Sequence, residues 1–359
     1  MVAARRSGQA GSRREQSRWV RLERVGIARA VRQRLLWLGS LVALLVVVLL
    51  ASLALGSKPL SIATVYDALF HYQGSVDDTI VQGLRVPRTL LGLCVGVALG
   101  LAGTLMQGVT RNPLADPGIL GVNAGAAFAV VLGVHAFGFL SPLTNVWFAF
   151  GGAAAASAIV YGLGARGPQG ATPVKLALAG AAATALLGAL TNAILLADSV
   201  TFAEFRYWAV GSLVGRAADL LPLLPFLVAG GLLAVTLGKA LNVLSLGDDA
   251  AQSLGQRVGL TRAVAATAVV LLVGVAVAVA GPIGFVGLIV PHVARAITGS
   301  DYRWVMPFSA LLAPILLLSA DIIGRVVARP AEIEVSIVTA LIGTPFLIAL
   351  VRQRTFTEL

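Results

Sequence analysis

The sequence predicts an all-α, polytopic membrane protein of about ten transmembrane helices, with both termini cytoplasmic. Three observations carry that prediction. Hydrophobic residues make up 58% of the chain and charged residues only 12%, with a mean hydropathy of +0.90; a soluble domain carries about a quarter charged residues. Apolar runs close to the roughly 20 residues that cross a bilayer recur from end to end. Ten of the 27 Lys and Arg crowd into the first 34 positions, just before the first run, which is the positive-inside signature of a cytoplasmic start.

The elements follow in order. Residues 1–34 form a basic cytoplasmic tail that carries most of the net charge of +11. Its place beside a span points to lipid headgroups or a disordered tail, not to nucleic acid. SRREQ (12–16) has two arginines, but polar residues and a long uncleavable apolar run follow them, so it is no twin-arginine export signal. The expected spans are 35–55, 89–108, 117–136, 146–164, 175–196, 221–238, 263–281, 284–298, 305–324 and 336–351, and residues 353–359 end the chain as a short cytoplasmic tail. This threading puts 20 of the 27 Lys and Arg inside and 7 outside, as the inside bias requires. Gly92, Gly96, Gly100 and Gly103 share one face of the second span, where helix backbones approach closely or cargo passes. In NPLADPG (112–118), Asn112 and Pro113 suit a cytoplasmic turn. Asp116 suits a helix N-cap there, with Pro117 at the first helical position. A long apolar run followed by a turn and a glycine-rich helix occurs at 89–136 and again at 263–298; with an odd number of spans between them, these form a faint inverted repeat.

Several chemistries are disfavoured. Cys94 is the only cysteine and lies in an apolar run, so there is no intrachain disulfide framework. His71, His135 and His292 share no metal-ligand spacing. His292, in PHVAR at a cytoplasmic span end, reads as an interfacial hydrogen-bonding residue rather than a cargo ligand. No phosphate-binding P-loop occurs; Gly238-Lys239-Ala240 lacks the hydroxyl and the glycine loop. Asp321 is the lone intramembrane carboxylate and sits near an outer end, which disfavours ion coupling.

The polar segment NVLSLGDDAAQSLGQRVGLTR (242–262) interrupts the apolar pattern. Ala251, Leu254 and Val258 recur at helical spacing, so a short amphipathic helix is expected over about 246–259. Gly247 begins it, Asp248 and Asp249 favour its positive end, Arg257 favours its negative end and Gly259 stops it. Such a helix is too short to be stable alone. Its polar face lacks the lysines that anionic lipid favours, so a groove on a partner protein suits it better. The aspartate pair has no third carboxylate to make a prenyltransferase metal site.

The segment RVPRTLLGLCVGVALGLAGTLMQGVTRNPLADPGILGVNAG (85–125) closely resembles the signature of the iron-chelate and cobalamin permease family of bacterial ABC importers. WAVGSL (208–213), LGDDAAQSLG (246–255), GPIGFVGLIVPHVAR (281–295), ADIIGR (320–325) and TALIGTPFLIALV (339–351) continue the likeness in order. It runs from about residue 57 to 352 and leaves the basic tail uncovered. The resemblance implies a type II ABC importer permease fold for residues 35–352, paired with an identical or homologous permease subunit. Two ATP-binding subunits would hold ATP and Mg, and an extracytoplasmic binding protein would deliver cargo. This chain would bind no cofactor and catalyse no reaction. By the same resemblance, the 246–259 segment is the coupling helix, with Gly247, Asp248, Ala251, Leu254 and Gly255 meeting the ATPase. Arg85, Arg88 and Arg325, expected to be exposed at outer span mouths, would receive acidic residues of the binding protein. The loop GATPVK (170–175) would help close the inner gate. It carries Pro173 and Val174 where relatives have small hydroxyl residues, leaving Thr172 as the hydroxyl; Asn112 and Asp116 are the other gate candidates. The implied cargo is a ferric siderophore, with cobalamin or haem as alternatives, carried across a bacterial cytoplasmic membrane. The rivals from other classes are an ion-coupled secondary carrier and a membrane enzyme; the latter lacks any paired intramembrane acid, base or metal cluster.

Overall fold

The computed structural model describes residues 31–138, 141–166, 171–215 and 217–354, the side chains of 353 and 354 excepted. Most of the basic tail, Gly170, Arg216 and the last residues of the C-terminal tail lie outside the described residues. Among the described residues every regular element is a helix.

The chain divides into two compact units, Met1–Leu44 and Leu45–Leu359. In the first, the described residues are the opening part of α1 (Val31–Ala54). Leu35, Leu36, Trp37 and Val42 are exposed there, as suits a helix whose backbone is satisfied internally and whose side chains face lipid. Residues 31–34, expected in the tail, are already helical. Arg and Gln are good helix formers, so backbone hydrogen bonding continues past the point where hydropathy fades.

The second unit continues with α2 (Ile62–Phe70), α3 (Val76–Thr110), α4 (Val122–Phe137), α5 (Pro142–Gly164), α6 (Pro173–Ala197) and α7 (Ser199–Ala209). After these come α8 (Ala217–Thr236), α9 (Gly238–Leu244), α10 (Asp248–Ser253), α11 (Val258–Ala280), α12 (Val286–Thr298), α13 (Tyr302–Val327) and α14 (Val335–Arg354). Among the described residues eight helices are long and apolar enough to cross a membrane, and α4 and α12 are shorter apolar helices. Each of the ten expected spans overlaps one of these ten helices, but 117–136 opens with the separate 3-10 turn Pro117–Leu120, and 35–55, 221–238, 263–281 and 284–298 overrun their helices by one or two residues.

Helix starts follow the capping chemistry of their sequences. The Ser141 hydroxyl accepts from Thr144 N–H at 3.2 Å, Thr172 from Lys175 N–H at 3.4 Å with Pro173 following, and Asp301 from Arg303 N–H at 3.0 Å. Helix α3 starts thirteen residues before the second expected span. A capping box of Ser75 and Asp78 launches it, and a π-helical stretch over Thr79–Arg85 carries it into the apolar part. The polar extension hides this start from a hydropathy reading.

The core is built around α3, of whose apolar window 78% is buried, with α11, α12 and α13 packed on it. The glycine face forms this seam. Gly96 faces the Pro314 backbone and Gly100 the Ser309 carbonyl, while Gly103 lies against the Gly287 carbonyl so closely that no Cβ fits. Small residues at such crossings replace side-chain packing with backbone contact. By contrast only 11% of the apolar window of α6, and 28% of that of α14, is buried.

Candidate functional site

Polar side chains gather at the two ends of the bundle. At the end that the charge bias makes extracytoplasmic, α1 finishes with carbonyls that have no partner within the helix. Arg85 Nη1 donates to the carbonyls of Leu53 and Ala54 at 2.6 and 2.7 Å, and its Nη2 donates to the Lys58 carbonyl. Arg325 Nη1 donates to the Ser52 and Leu55 carbonyls, each at 3.0 Å, and its Nη2 to Ser52 Oγ at 2.9 Å. Asp321, fully buried, pairs with Arg88 Nη2 at 2.7 Å through one oxygen and with Arg325 Nη2 at 2.9 Å through the other. Arg88 also reaches Glu332 at 2.7 Å.

This corrects the expectation of exposed arginines. Arg85 is 5% exposed and Arg325 2%, because a guanidinium offers five donors and the end of α1 supplies acceptors. The partners lie about 30 and 270 residues away in sequence, so no local pattern announced them. The three arginines still line a cavity of about 630 Å³, together with Lys58, Glu332 and Ser57. It is a cationic hollow in which, among the described residues, Glu332 is the one acidic lining residue.

At the opposite end, Asn112 Oδ1 accepts from Leu114 N–H at 2.9 Å and makes the expected turn. Asp116 Oδ1 accepts from Gly118 N–H at 2.7 Å and caps the short 3-10 turn Pro117–Leu120. Burial pushes the Asp116 carboxyl above the usual carboxylate range, against the lowering effect of that hydrogen bond. The turn packs on α6, where Gly180 lies against the Ile119 carbonyl. The structure thus brings the 112–118 motif onto the helix that the 170–175 loop enters. Thr172 and Pro173 are half-buried and Val174 is exposed. His292 meets Phe346 edge-on at 5.7 Å, an interhelical packing role. Gln107, buried in α3, donates to the Leu288 carbonyl at 3.1 Å and accepts from Arg295. Sequence reading did not link those residues.

The polar segment differs from its expected form. Instead of one helix over 246–259, α10 spans six residues; Gly255, at φ 82°, breaks it, and α11 starts at Val258. Gly259 therefore sits inside α11 rather than stopping a helix, and Arg257 is the N-cap of α11. Gly247 is the N-cap of α10, at φ 108°. The apolar stripe divides accordingly: Ala251 is fully buried and Val258 nearly so, while Leu254 is 66% exposed. Gly255 is exposed, as are Leu246 and Leu260. Asp248 is turned inward, 2.9 Å from Arg262 and 3.2 Å from Arg111. Of the five expected coupling residues, Leu254 and Gly255 offer free surface, and Asp248 and Ala251 anchor the helix to the bundle.

Known proteins resemble the chain over most of its length. The FecCD transport family matches residues 44–353. The "Probable siderophore transport system permease protein YfiZ" of Bacillus subtilis (strain 168) is 44% identical over 314 residues, 87% of this chain and 94% of that protein. The "Ferric enterobactin transport system permease protein FepD" of Escherichia coli (strain K12) is 49% identical over 317 residues, 88% of this chain and 94% of that one. Among solved structures, a chain of a metal-chelate type ABC transporter in an inward-facing conformation superposes with a TM-score of 0.76 at 31% identity. That match covers 88% of this chain and 98% of the other, and the fold is accordingly that of a type II ABC importer permease. With a family match across nearly all of the second unit and relatives this similar along almost their full length, the chain belongs to the FecCD transport family.

Proposed function

We propose that the chain is the permease subunit of an ATP-driven importer that moves a ferric siderophore across a bacterial cytoplasmic membrane by alternating access. The observation that carries this reading is the 44% and 49% identity to permeases named for a siderophore system and for ferric enterobactin. Two permease subunits enclose the path, and two partner subunits bind ATP and Mg²⁺ below them. The chain itself performs no covalent chemistry. The exposed leucines Leu246, Leu254 and Leu260 support an ATPase cleft as the partner of the segment around α10, since apolar side chains outside the spans need a protein groove. The cationic cavity lined by Arg85, Arg88 and Arg325 supports docking of an acidic binding-protein surface at the outer end, with a salt-dependent on-rate. Asn112, Asp116, Thr172, Pro173 and Val174 border the inner gate, because the 112–118 turn rides on α6.

The test is uptake into proteoliposomes holding the chain, its ATPase and the binding protein. Vanadate should stop uptake of a radiolabelled ferric siderophore, and a protonophore should leave it intact. The opposite pattern identifies an ion-coupled carrier. ATP-driven uptake of radiolabelled haem or cobalamin, with none of the ferric siderophore, identifies the alternative cargo.

A further inference from the structure

Asp248 occupies a position that partner docking does not require. It opens α10, yet its carboxylate points at the bundle rather than at the exposed face. Its two oxygens accept from Arg262 Nη2 at 3.0 and 2.9 Å, and one of them lies 3.2 Å from Arg111 Nη2. Arg262 is 4% exposed in the first two turns of α11. Arg111 is the left-handed C-cap of α3, at φ 52°, and leads directly into the 112–118 turn. Beyond the other end of α10, Gln256 Nε2 donates to the Ala240 carbonyl at 2.9 Å and to Thr261 Oγ1 at 3.1 Å.

A six-residue helix does not hold its shape alone in water. A short helix on a slack tether would move without moving anything else. This one is clasped, through a single carboxylate, to the ends of the central helix and of its neighbour in the core. Two guanidiniums converge on one anion, and one of them is buried. Loss of that anion leaves the buried Arg262 without the carboxylate it pairs with, which is costly away from water.

We infer that Asp248 is the transmission residue of the cytoplasmic segment: its double ion pair with Arg111 and Arg262 makes α3 and α11 follow α10. The inference rests on the transport reading for what moves α10, while the clasp itself rests on the geometry. The test compares Asp248→Asn and Asp248→Glu, with Arg111→Gln as a variant at a partly exposed position. In the purified full-length chain, amide hydrogen exchange across residues 248–253 should speed up at least tenfold in D248N and R111Q and stay near wild type in D248E. In proteoliposomes with the ATPase and binding protein, D248N should carry at least tenfold less radiolabelled ferric siderophore per ATP hydrolysed. The ATPase should still co-purify with it, and D248E should restore the ratio. Unchanged exchange, or an unchanged ratio, in D248N overturns the inference. Loss of ATPase co-purification overturns it too, because Asp248 is then a docking charge. A wild-type chain without ATP-driven uptake sinks the transport reading instead, and the exchange measurement still decides whether the clasp exists.

Discussion

Asp321 shows how a single buried charge depends on neighbours that sequence alone does not pair with it. Its two oxygens serve Arg88 and Arg325 separately, so each side chain is the main counterion of the next. Arg325, four residues on along the same helix, was within reach of sequence reasoning; Arg88, 233 residues away, was not. Sequence reading disfavoured this lone intramembrane carboxylate as a coupling site but gave it no other role, and the structure makes it a brace. Breaking a buried pair leaves uncompensated charge and costs about 3–5 kcal/mol, whereas an exposed pair is worth about 1 kcal/mol or less. Asp321→Ala should accordingly lower the thermal unfolding midpoint in detergent markedly, and Glu332→Gln, at a side chain 31% exposed, should barely shift it. Equal shifts would contradict the brace.

Asp198 makes the same point in a setting open to pH. It caps α7, accepting from the Val200 and Thr201 N–H groups at 3.0 and 3.2 Å, and it meets His135 Nδ1 at 2.9 Å. The Thr201 hydroxyl, then His135 and the backbone donors, hold its carboxyl far below the usual range. A depressed carboxylate stabilises the fold above its unfolded value of about 3.9 and loses that contribution as pH falls toward the folded value. The midpoint difference between wild type and Asp198→Ala should be full near neutrality and shrink as pH drops below about 4. A difference that grows on acidification would refute the assignment.

At the scale of elements, the ten spans were legible because apolar length is set by the bilayer and survives any packing arrangement. Their ends were not. Helix α3 extends outward through a polar capping box, and α1 extends inward through Arg and Gln, because hydrogen bonding continues where hydropathy stops. The segment around α10 was legible in kind but not in form. Helical spacing of Ala251, Leu254 and Val258 is genuine in sequence, yet Gly255 adopts φ 82° and divides the stripe between anchor and exposed face. Leu254, left outside, is the residue to test. Leu254→Asp should detach the ATPase, or uncouple its hydrolysis from uptake, while circular dichroism of the spans is unchanged. Normal coupled uptake in that variant would remove the ATPase from this surface.

At the scale of the whole molecule, most of the outer and inner polar clusters escaped sequence reading for one shared reason. A bundle brings together span ends that are distant in the chain, so Arg88 with Asp321, Gln107 with Arg295, and Arg111 and Arg262 with Asp248 have no local signature. The resemblance located the right neighbourhoods without supplying the partners. It gave the three arginines, which line one cavity, a docking role without the partners that the chain itself supplies.

The glycine seam has a mechanical consequence. Two helices whose backbones touch at Gly103 and Gly287 cannot slide by a turn, since any larger residue brought into register would collide with a carbonyl. Helices α3, α12 and α13, locked at these contacts, are expected to turn as one piece, and the less buried α6 and α14 to move against them. Spin labels at Leu90 on α3 and Ile323 on α13, both exposed, should keep one distance with and without ATP in the assembled transporter. A label moved to Leu186 on α6 should report a changing distance to Leu90. A distance that changed between Leu90 and Ile323 while α6 stayed still would put the moving parts on the wrong side of the seam.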